Sequence, residues 1–293
     1  MEEVDVVVEN FGPGTFDRLG FSYAALSALN PRLVYCSLKG FLDGPYAERI
    51  GVDEVVQMMG GLAYMTGREG DPMRAGTSAL DITGGLFGVI AILTALYERT
   101  LTGRGKLVRA SLYETSAFLM GQFMACITPA EPEIKPMPSR KNVWPIYQLF
   151  ETSDGPPVFL GVISDRHWQR LCTAYGWDDL AADERYTTSA GRADHKAELL
   201  PQIVERVAAR THADVVRQAL AYNLPHAVVK SPAQLLEDEH LLEGGHLLDT
   251  QLVDGTPTRL PRLPIDYGDE RFRRAERAPD VGADNAEVLG GVA

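Results

Sequence analysis

The spacing of apolar positions changes several times along the chain. Residues 4–10, VDVVVEN, place four valines in seven positions, the near-continuous run of a strand buried on both faces, and FGPG ends it. A short helical stretch is predicted over 15–30 and a second strand over 31–41, PRLVYCSLKGF. Strand, helix, strand is the order of a parallel sheet with crossover connections. Helical spacing returns over 53–67, stopped by glycine, and a long helix is predicted from Ile82 to about Thr100. The sequence TGRG caps it, with Gly103 and Gly105 expected to supply left-handed conformations. A short strand over 106–112 and an apolar helix over 113–127 follow.

The pattern then breaks. TPAEPEIKPMPSRKNVWP carries five prolines among scattered charges, as an extended connection does. Beyond it a hairpin is predicted over 146–163 with Asp154 and Gly155 at its turn, then helices over 165–176, 193–211 and 212–223. A short strand over 226–230 precedes a helix opened by Ser231 and Pro232; a second hairpin spans 246–267 and a loop with a short helix spans 279–293. The fold class is therefore α/β, with an open parallel Rossmann-like sheet and a second, smaller α+β domain. The expected divisions are a large lobe over 1–130, a linker over 131–145, a small domain over 146–246, and a return segment over 247–293 whose helix packs on the large lobe.

Composition narrows the function classes. The chain has 293 residues, 45% of them hydrophobic, and a net charge of -12, so no basic face is available to neutralise the phosphates of a nucleic acid. Its three cysteines, Cys36, Cys126 and Cys172, are too few and too scattered for a disulfide framework or a zinc pair. No secretory signal opens the chain, and the longest apolar run, over 86–97, is shorter than the ~20 residues of a membrane span. A cytoplasmic protein without membrane or nucleic-acid partners is expected. None of the six histidines has the one-turn spacing of a zinc helix, so no metal site is expected. No serine stands in a nucleophile elbow, and TGRGK lacks the glycine spacing of a phosphate loop.

Two places hold candidate chemistry. In ENFGPGTFDRLGF, at the carboxyl end of the first strand, Asn10, Phe11 and Arg18 offer a hydrogen bond, a stacking face and a cation; a glycine-proline turn with a structural arginine accounts for the same residues. Asp81 stands just ahead of the long helix, where it serves as a cap or as a reacting carboxylate. Gly84 and Gly85 remove side chains from the first turn at a cost of about 1 kcal/mol each, which suits the approach of something bulky. The helix dipole would keep the Asp81 carboxylate ionised, as a nucleophile must be.

The segments VVVENFGPGTFDRLGF, NPRLVYCSLKGF with GPYAER, GVDEVVQMMGGL, ALDITGGLFGVIAILTALYERTLTGRGKLVRASLYE and APDVGADNAEVL occur in the order seen in class III CoA-transferases. Over nearly its whole length the chain resembles this CaiB/BaiF-type family, which includes formyl-CoA transferase, carnitine CoA-transferase and 2-methylacyl-CoA racemase. The resemblance implies an acyl-CoA:carboxylate CoA-transferase with no metal or permanently bound cofactor, taking CoA thioesters and small carboxylic acids as substrates. Asp81 matches the family's catalytic aspartate, which forms an acyl anhydride and then an aspartyl-CoA thioester. The backbone N–H groups of Gly84 and Gly85 are implied as oxyanion donors. Asn10, Phe11 and Arg18 fall where the family holds the nucleotide of CoA, and Arg49, Gly51, Val52 and Asp53 fall on the CoA and thioester side of the pocket.

Racemases of this family read GHD where this chain reads GVD over 51–53, and valine carries no proton, so transfer is expected over epimerisation. The family's glycine-rich lid has no counterpart in PMPSRKNVWPIYQL, which contains no glycine. Relatives also begin with a further Rossmann segment. The resemblance then leaves three alternatives: a fragment, a subunit completed by a partner, or a short form that binds CoA without catalysis. The family's homodimer is expected only with that segment present, and without it an unpaired sheet edge and an exposed apolar face are expected.

Overall fold

The computed structural model describes residues 4–139, 144–268 and 279–290. The chain divides into two compact units, Met1–Lys141 and Asn142–Ala293. Parts of the expected linker and of the expected tail lie outside the described residues.

In the first unit β1 (Val6–Glu9), β2 (Val34–Lys39) and β3 (Leu107–Ser111) form one parallel sheet in that order. Val8 pairs with Cys36, and Cys36 with Val108. The first crossover holds α1 (Thr15–Arg18) and α2 (Tyr23–Leu29). Gly20, at φ 87°, breaks what sequence spacing reads as one helix, and the Ser22 hydroxyl caps the second by accepting the Ala25 N–H. The second crossover holds α3 (Asp53–Met59), α4 (Leu62–Thr66) and α5 (Ala79–Thr102); α6 (Leu112–Met124) follows β3. Gly60 and Gly61 split the helix predicted over 53–67 in the same way, Gly61 lying at φ 85°.

The long helix α5 lies on β2 and β3. Its sheet side is marked by Leu80, Gly84, Gly88 and Ala95, all buried. A Cβ on Gly88 would sit 2.8 Å from Leu38 Cδ2, so the missing side chain sets the depth of packing. At the far end Gly103 takes the left-handed cap, φ 72°. Gly105 serves differently from expectation: its backbone passes so close to Leu33 that a Cβ would lie 2.0 Å from the Leu33 carbonyl oxygen.

The opposite face of α5 is apolar and exposed. Ile82, Leu86, Ile90, Leu93, Tyr97 and Leu101 recur at helical spacing with 56% to 75% of their surface accessible. Among the described residues β1 pairs only with β2, and Val8 on this edge strand is also exposed. By length and composition alone α5, at 24 residues, meets the requirement for a membrane span, which the shorter run over 86–97 did not suggest. Its lengthwise seat on the sheet is that of a crossover helix.

The second unit is built on β4 (Tyr147–Phe150), β5 (Val158–Gly161) and β6 (His226–Val228), an antiparallel sheet in that order. Between β5 and β6 run α7 (Asp165–Tyr175), α8 (Asp178–Ala182), α9 (Ser189–Asp194), α10 (Lys196–Ala208) and α11 (His212–Ala221). Helix α7 shows why they pack: Trp168, Leu171, Cys172 and Tyr175 share one buried face, Ser164 caps its start and Gly176 turns its end. They join Phe150, Leu160, Leu199, Ile203 and Val215 in one core, each large apolar side chain contributing about 1.5–3 kcal/mol by burial. The chain then forms α12 (Pro232–Leu235), α13 (Glu239–Glu243), the hairpin of β7 (Leu247–Gln251) and β8 (Pro257–Pro261), and α14 (Asn285–Leu289). The result is an α/β architecture with a parallel sheet in one unit and antiparallel sheets in the other.

Candidate active site

Parallel strands leave their carboxyl ends together, and there the loops of the first unit enclose a cavity of about 460 Å³. After β1 come Asn10 and Phe11; the end of β2 gives Lys39, followed by Gly40, and the end of β3 gives Ser111, followed by Leu112. The first turns of α5 close it with Asp81, Gly84 and Gly85. The segment from Arg49 to Asp53 forms another wall. It reaches the sheet because two glycines touch: a Cβ on Gly40 would stand 2.6 Å from Gly51 Cα, and one on Gly51 would stand 2.7 Å from Gly40 Cα. The Arg49 guanidinium lies over the Tyr46 ring, 4.8 Å from its centroid.

Nine of the ten residues that the sequence singled out line this cavity: Asn10, Phe11, Arg49, Gly51, Val52, Asp53, Asp81, Gly84 and Gly85. Arg18 does not. It sits at the end of α1, exposed, donating to Thr15 Oγ1 at 2.9 Å.

The buried end of the loop after β1 is held by groups that apolar spacing passed over. Glu9 is buried on the edge of the sheet. One of its oxygens accepts the Ser37 hydroxyl at 2.5 Å; the other accepts Lys39 Nζ at 2.7 Å and the Phe11 N–H at 3.0 Å. Lys39 Nζ also donates to the Phe11 carbonyl at 2.7 Å. An ion pair that binds both ends of one residue's backbone fixes the Asn10–Phe11 turn. Its trace in the sequence is polar residues at alternate positions, 37 and 39, of an otherwise apolar strand.

Asp81 departs from the expected position. Helix α5 starts at Ala79, so Asp81 is its third residue and not its cap; Ser78 occupies the cap position without a side-chain hydrogen bond. The capping acid comes from another helix. Asp53 Oδ2 accepts the N–H of Leu80 at 2.8 Å and that of Asp81 at 3.2 Å. Asp53 is buried, and its Oδ1 accepts the Gln57 side-chain amide. The Asp81 side chain is left on the cavity side of the turn. Partial burial, and then the charge of Asp53, push its carboxyl above the usual aspartate value. The helix dipole, expected to do the opposite, is already answered by Asp53.

The two glycines have different duties. A Cβ on Gly84 would meet Leu112 Cδ2 at 3.3 Å, so Gly84 lets α6 approach; around a Cβ on Gly85 nothing lies within 4 Å. Their N–H groups come after the four that a helix leaves unpaired, and Ile82 N–H already bonds the Ser78 carbonyl, which leaves them inside the helical ladder and not free as oxyanion donors. Among the described residues no group of three or more His, Cys, Asp or Glu is arranged to hold a metal ion.

Comparison with known proteins identifies the family of the chain. The model of CoA-transferase family III matches residues 1–285. A succinate–glutarate CoA-transferase from Agrobacterium fabrum is 33% identical over 288 residues, covering 97% of this chain and 72% of the relative. An acyl-CoA transferase from Fusarium pseudograminearum is 36% identical over 293 residues, and the chain spans 64% of its length. Among solved structures, a CAIB/BAIF family protein from Brucella suis superposes with a TM-score of 0.83 at 30% identity, covering 100% of this chain and 76% of that one.

Proposed function

The chain belongs to CoA-transferase family III, and on that premise we propose that it moves CoA between an acyl-CoA thioester and a small carboxylic acid with Asp81 as the nucleophile. The observation that carries this reading is the division of labour at the start of α5. Asp53 caps the helix, which frees the Asp81 carboxylate to face a cavity bordered by the bare backbone of Gly85.

The reaction then runs through four exchanges. An Asp81 oxygen attacks the thioester carbonyl carbon; the carbon–sulfur bond breaks, leaving an acyl-aspartyl anhydride and CoA thiolate. The thiolate attacks the aspartyl carbonyl and expels the first carboxylate, leaving an aspartyl-CoA thioester. The incoming carboxylate attacks that carbonyl, giving a second anhydride and free thiolate. The thiolate attacks the new acyl carbon, releasing the new thioester and the Asp81 carboxylate. No net proton is consumed, and one difficult acyl exchange becomes several easier ones.

Asn10, Phe11 and Arg49 supply a hydrogen-bonding side chain, a ring and a cation along the cavity wall for CoA or for a carboxylate. The relatives named for succinate and glutarate support a small acid as acceptor. Val52 lines the same cavity and has no proton to give, which argues against a second acid/base across an acyl α-carbon.

The test is chemical trapping. Wild-type protein incubated with labelled acyl-CoA and hydroxylamine is expected to yield a hydroxamate on Asp81, seen by mass spectrometry, and Asp81→Ala to lose both the adduct and CoA exchange. CoA binding with no adduct and no exchange would sink the reading in favour of a non-catalytic binding protein.

A further inference from the structure

Gln57 stands one helical turn after Asp53 on α3, and it is wholly buried. Its side chain joins one carboxylate and two backbone groups. Nε2 donates to Asp53 Oδ1 and, at 3.4 Å, to the Thr77 carbonyl; Oε1 accepts the Ala75 N–H at 2.8 Å. Residues 75 and 77 belong to the stretch that leads into α5, and Asp53 Oδ2 holds the first turn of α5 itself. One amide thus grips both the approach to the helix and the carboxylate that caps it. A hydrophobic side chain of the same size would fill the space while leaving the Ala75 N–H and one Asp53 oxygen without partners.

We propose that Gln57 is a positioning residue for acyl transfer: by holding Asp53 against the start of α5 it fixes where the Asp81 carboxylate stands relative to the cavity. The proposal rests on the reading of Asp81 as nucleophile. A carboxylate with two equivalent oxygens and a rotatable χ2 has no preferred face of its own, and Gln57 assigns one oxygen to α3 and leaves the other for the helix. Attack on a thioester tolerates little misplacement, so a small rotation of the first turn of α5 is felt in rate before it is felt in binding.

Asp53 lies on α3 and Asp81 on α5; Glu54 on α3 is paired with Arg74, which leads into the 75–77 stretch. On α6, which packs against α3, Glu114 is occupied by the Ser111 hydroxyl and the Leu42 N–H.

Three measurements on wild type, Gln57→Leu and Gln57→Glu test the proposal, with thermal melts at each pH to show that the variants are folded. Gln57→Leu is expected to lower kcat by roughly tenfold to a hundredfold with the acyl-CoA KM changed by less than about twofold. Gln57→Glu is expected to approach wild-type kcat at low pH, where the neutral acid donates to Asp53 as the amide does. Its kcat should fall as pH rises and the ionised group repels Asp53, a pH-dependent rescue that space-filling alone does not give. Titration of the Asp81 side-chain carboxyl by ¹³C NMR, without substrate, is expected to move down toward the ordinary aspartate value in Gln57→Leu. Folded variants with wild-type kcat at every pH and an unmoved Asp81 titration would overturn the proposal. A wild type that exchanges no CoA, with the Asp81 titration still displaced in Gln57→Leu, would overturn the transferase reading and support the positioning.

Discussion

Asp53 Oδ2 accepts the backbone N–H of Asp81 at 3.2 Å, so the two carboxylates that flank the cavity are joined through the main chain of one of them. Judged by sequence, an acid at the mouth of an apolar helix is most simply a cap. The cap is present, but another residue supplies it. A carboxylate relieved of that duty, standing beside a second fixed negative charge, is held in a state where reaction with an electrophile removes charge from a crowded place.

The first prediction concerns the pH dependence of turnover. A nucleophilic Asp81 would attack only when ionised, and its carboxyl lies above the usual aspartate value because of partial burial and then of Asp53. The acid limb of kcat/KM for acyl-CoA is therefore expected above the range of an ordinary aspartate. Asp53→Asn removes the neighbouring charge and is expected to move that limb to lower pH. A limb that stays in place in Asp53→Asn would show that Asp81 is not the group titrating.

Stability carries the same coupling with a definite sign. A carboxyl whose folded value is raised binds its proton more tightly folded than unfolded, so its contribution to stability is fully present below the unfolded value. It is lost as pH rises through the raised folded value. Replacing Asp81 with Asn is expected to remove this decline, so denaturant unfolding of wild type and Asp81→Asn should diverge as pH rises from below the ordinary aspartate value to above it. Asp53→Ala works in the other direction. It takes from the Leu80 and Asp81 N–H groups their side-chain acceptor and from Gln57 Nε2 one of its two, and is expected to cost about 2 kcal/mol or more in the same measurement.

What the sequence shows and hides follows from these contacts. The valines of β1, the strand over 31–41 and the proline-rich break are local signals, and they mark the strand–helix–strand order of the first unit. The gathering of Asn10, Phe11, Arg49, Val52 and Asp81 follows from parallel strands sharing one end, once a resemblance points to those residues. The tie between Asp53 and Asp81 spans 28 residues and no periodicity announces it. Sequence pattern sets the start of α5 three residues late, because Ser78, Ala79 and Leu80 are neutral in pattern and Asp81 imitates a cap. The orientation of α5 was hidden for another reason. Both faces are apolar, and only the small residues Gly84, Gly88 and Ala95 tell the sheet side from the exposed one.

Three glycines are expected to separate stability from activity. Around Gly85 there is open space and an ordinary helical backbone, so Gly85→Ala should gain up to about 1 kcal/mol in unfolding experiments. The added methyl faces the cavity beside Asp81 and should slow CoA exchange. Gly88→Ala meets the flexible end of Leu38 and is expected to be mildly destabilising. Gly105→Ala meets the Leu33 carbonyl, backbone that cannot turn aside, and is expected to cost about 3 kcal/mol. A Gly85→Ala enzyme of unchanged rate would place the reacting thioester away from this turn.

The exposed face of α5 gives the last prediction. Leu86, Ile90, Leu93 and Tyr97 lie along one side of a helix whose opposite side already packs on β2 and β3, and each is more than half accessible. A contiguous apolar stripe of this length lowers its free energy by leaving water, at roughly 25 cal/mol per Å² covered, so a dilute chain with this face uncovered is expected to associate. The effect should weaken on cooling, since the driving force is hydrophobic. Size-exclusion chromatography with light scattering should show species larger than a monomer, and an apolar fluorescent dye should bind. The pair Leu86→Glu and Leu93→Lys sits about two helical turns apart on that face, away from the cavity wall and the sheet. It is expected to reduce both signals while leaving far-UV circular dichroism unchanged. A cooperative monomer that binds no dye before substitution would mean that the face is covered in solution by the chain itself.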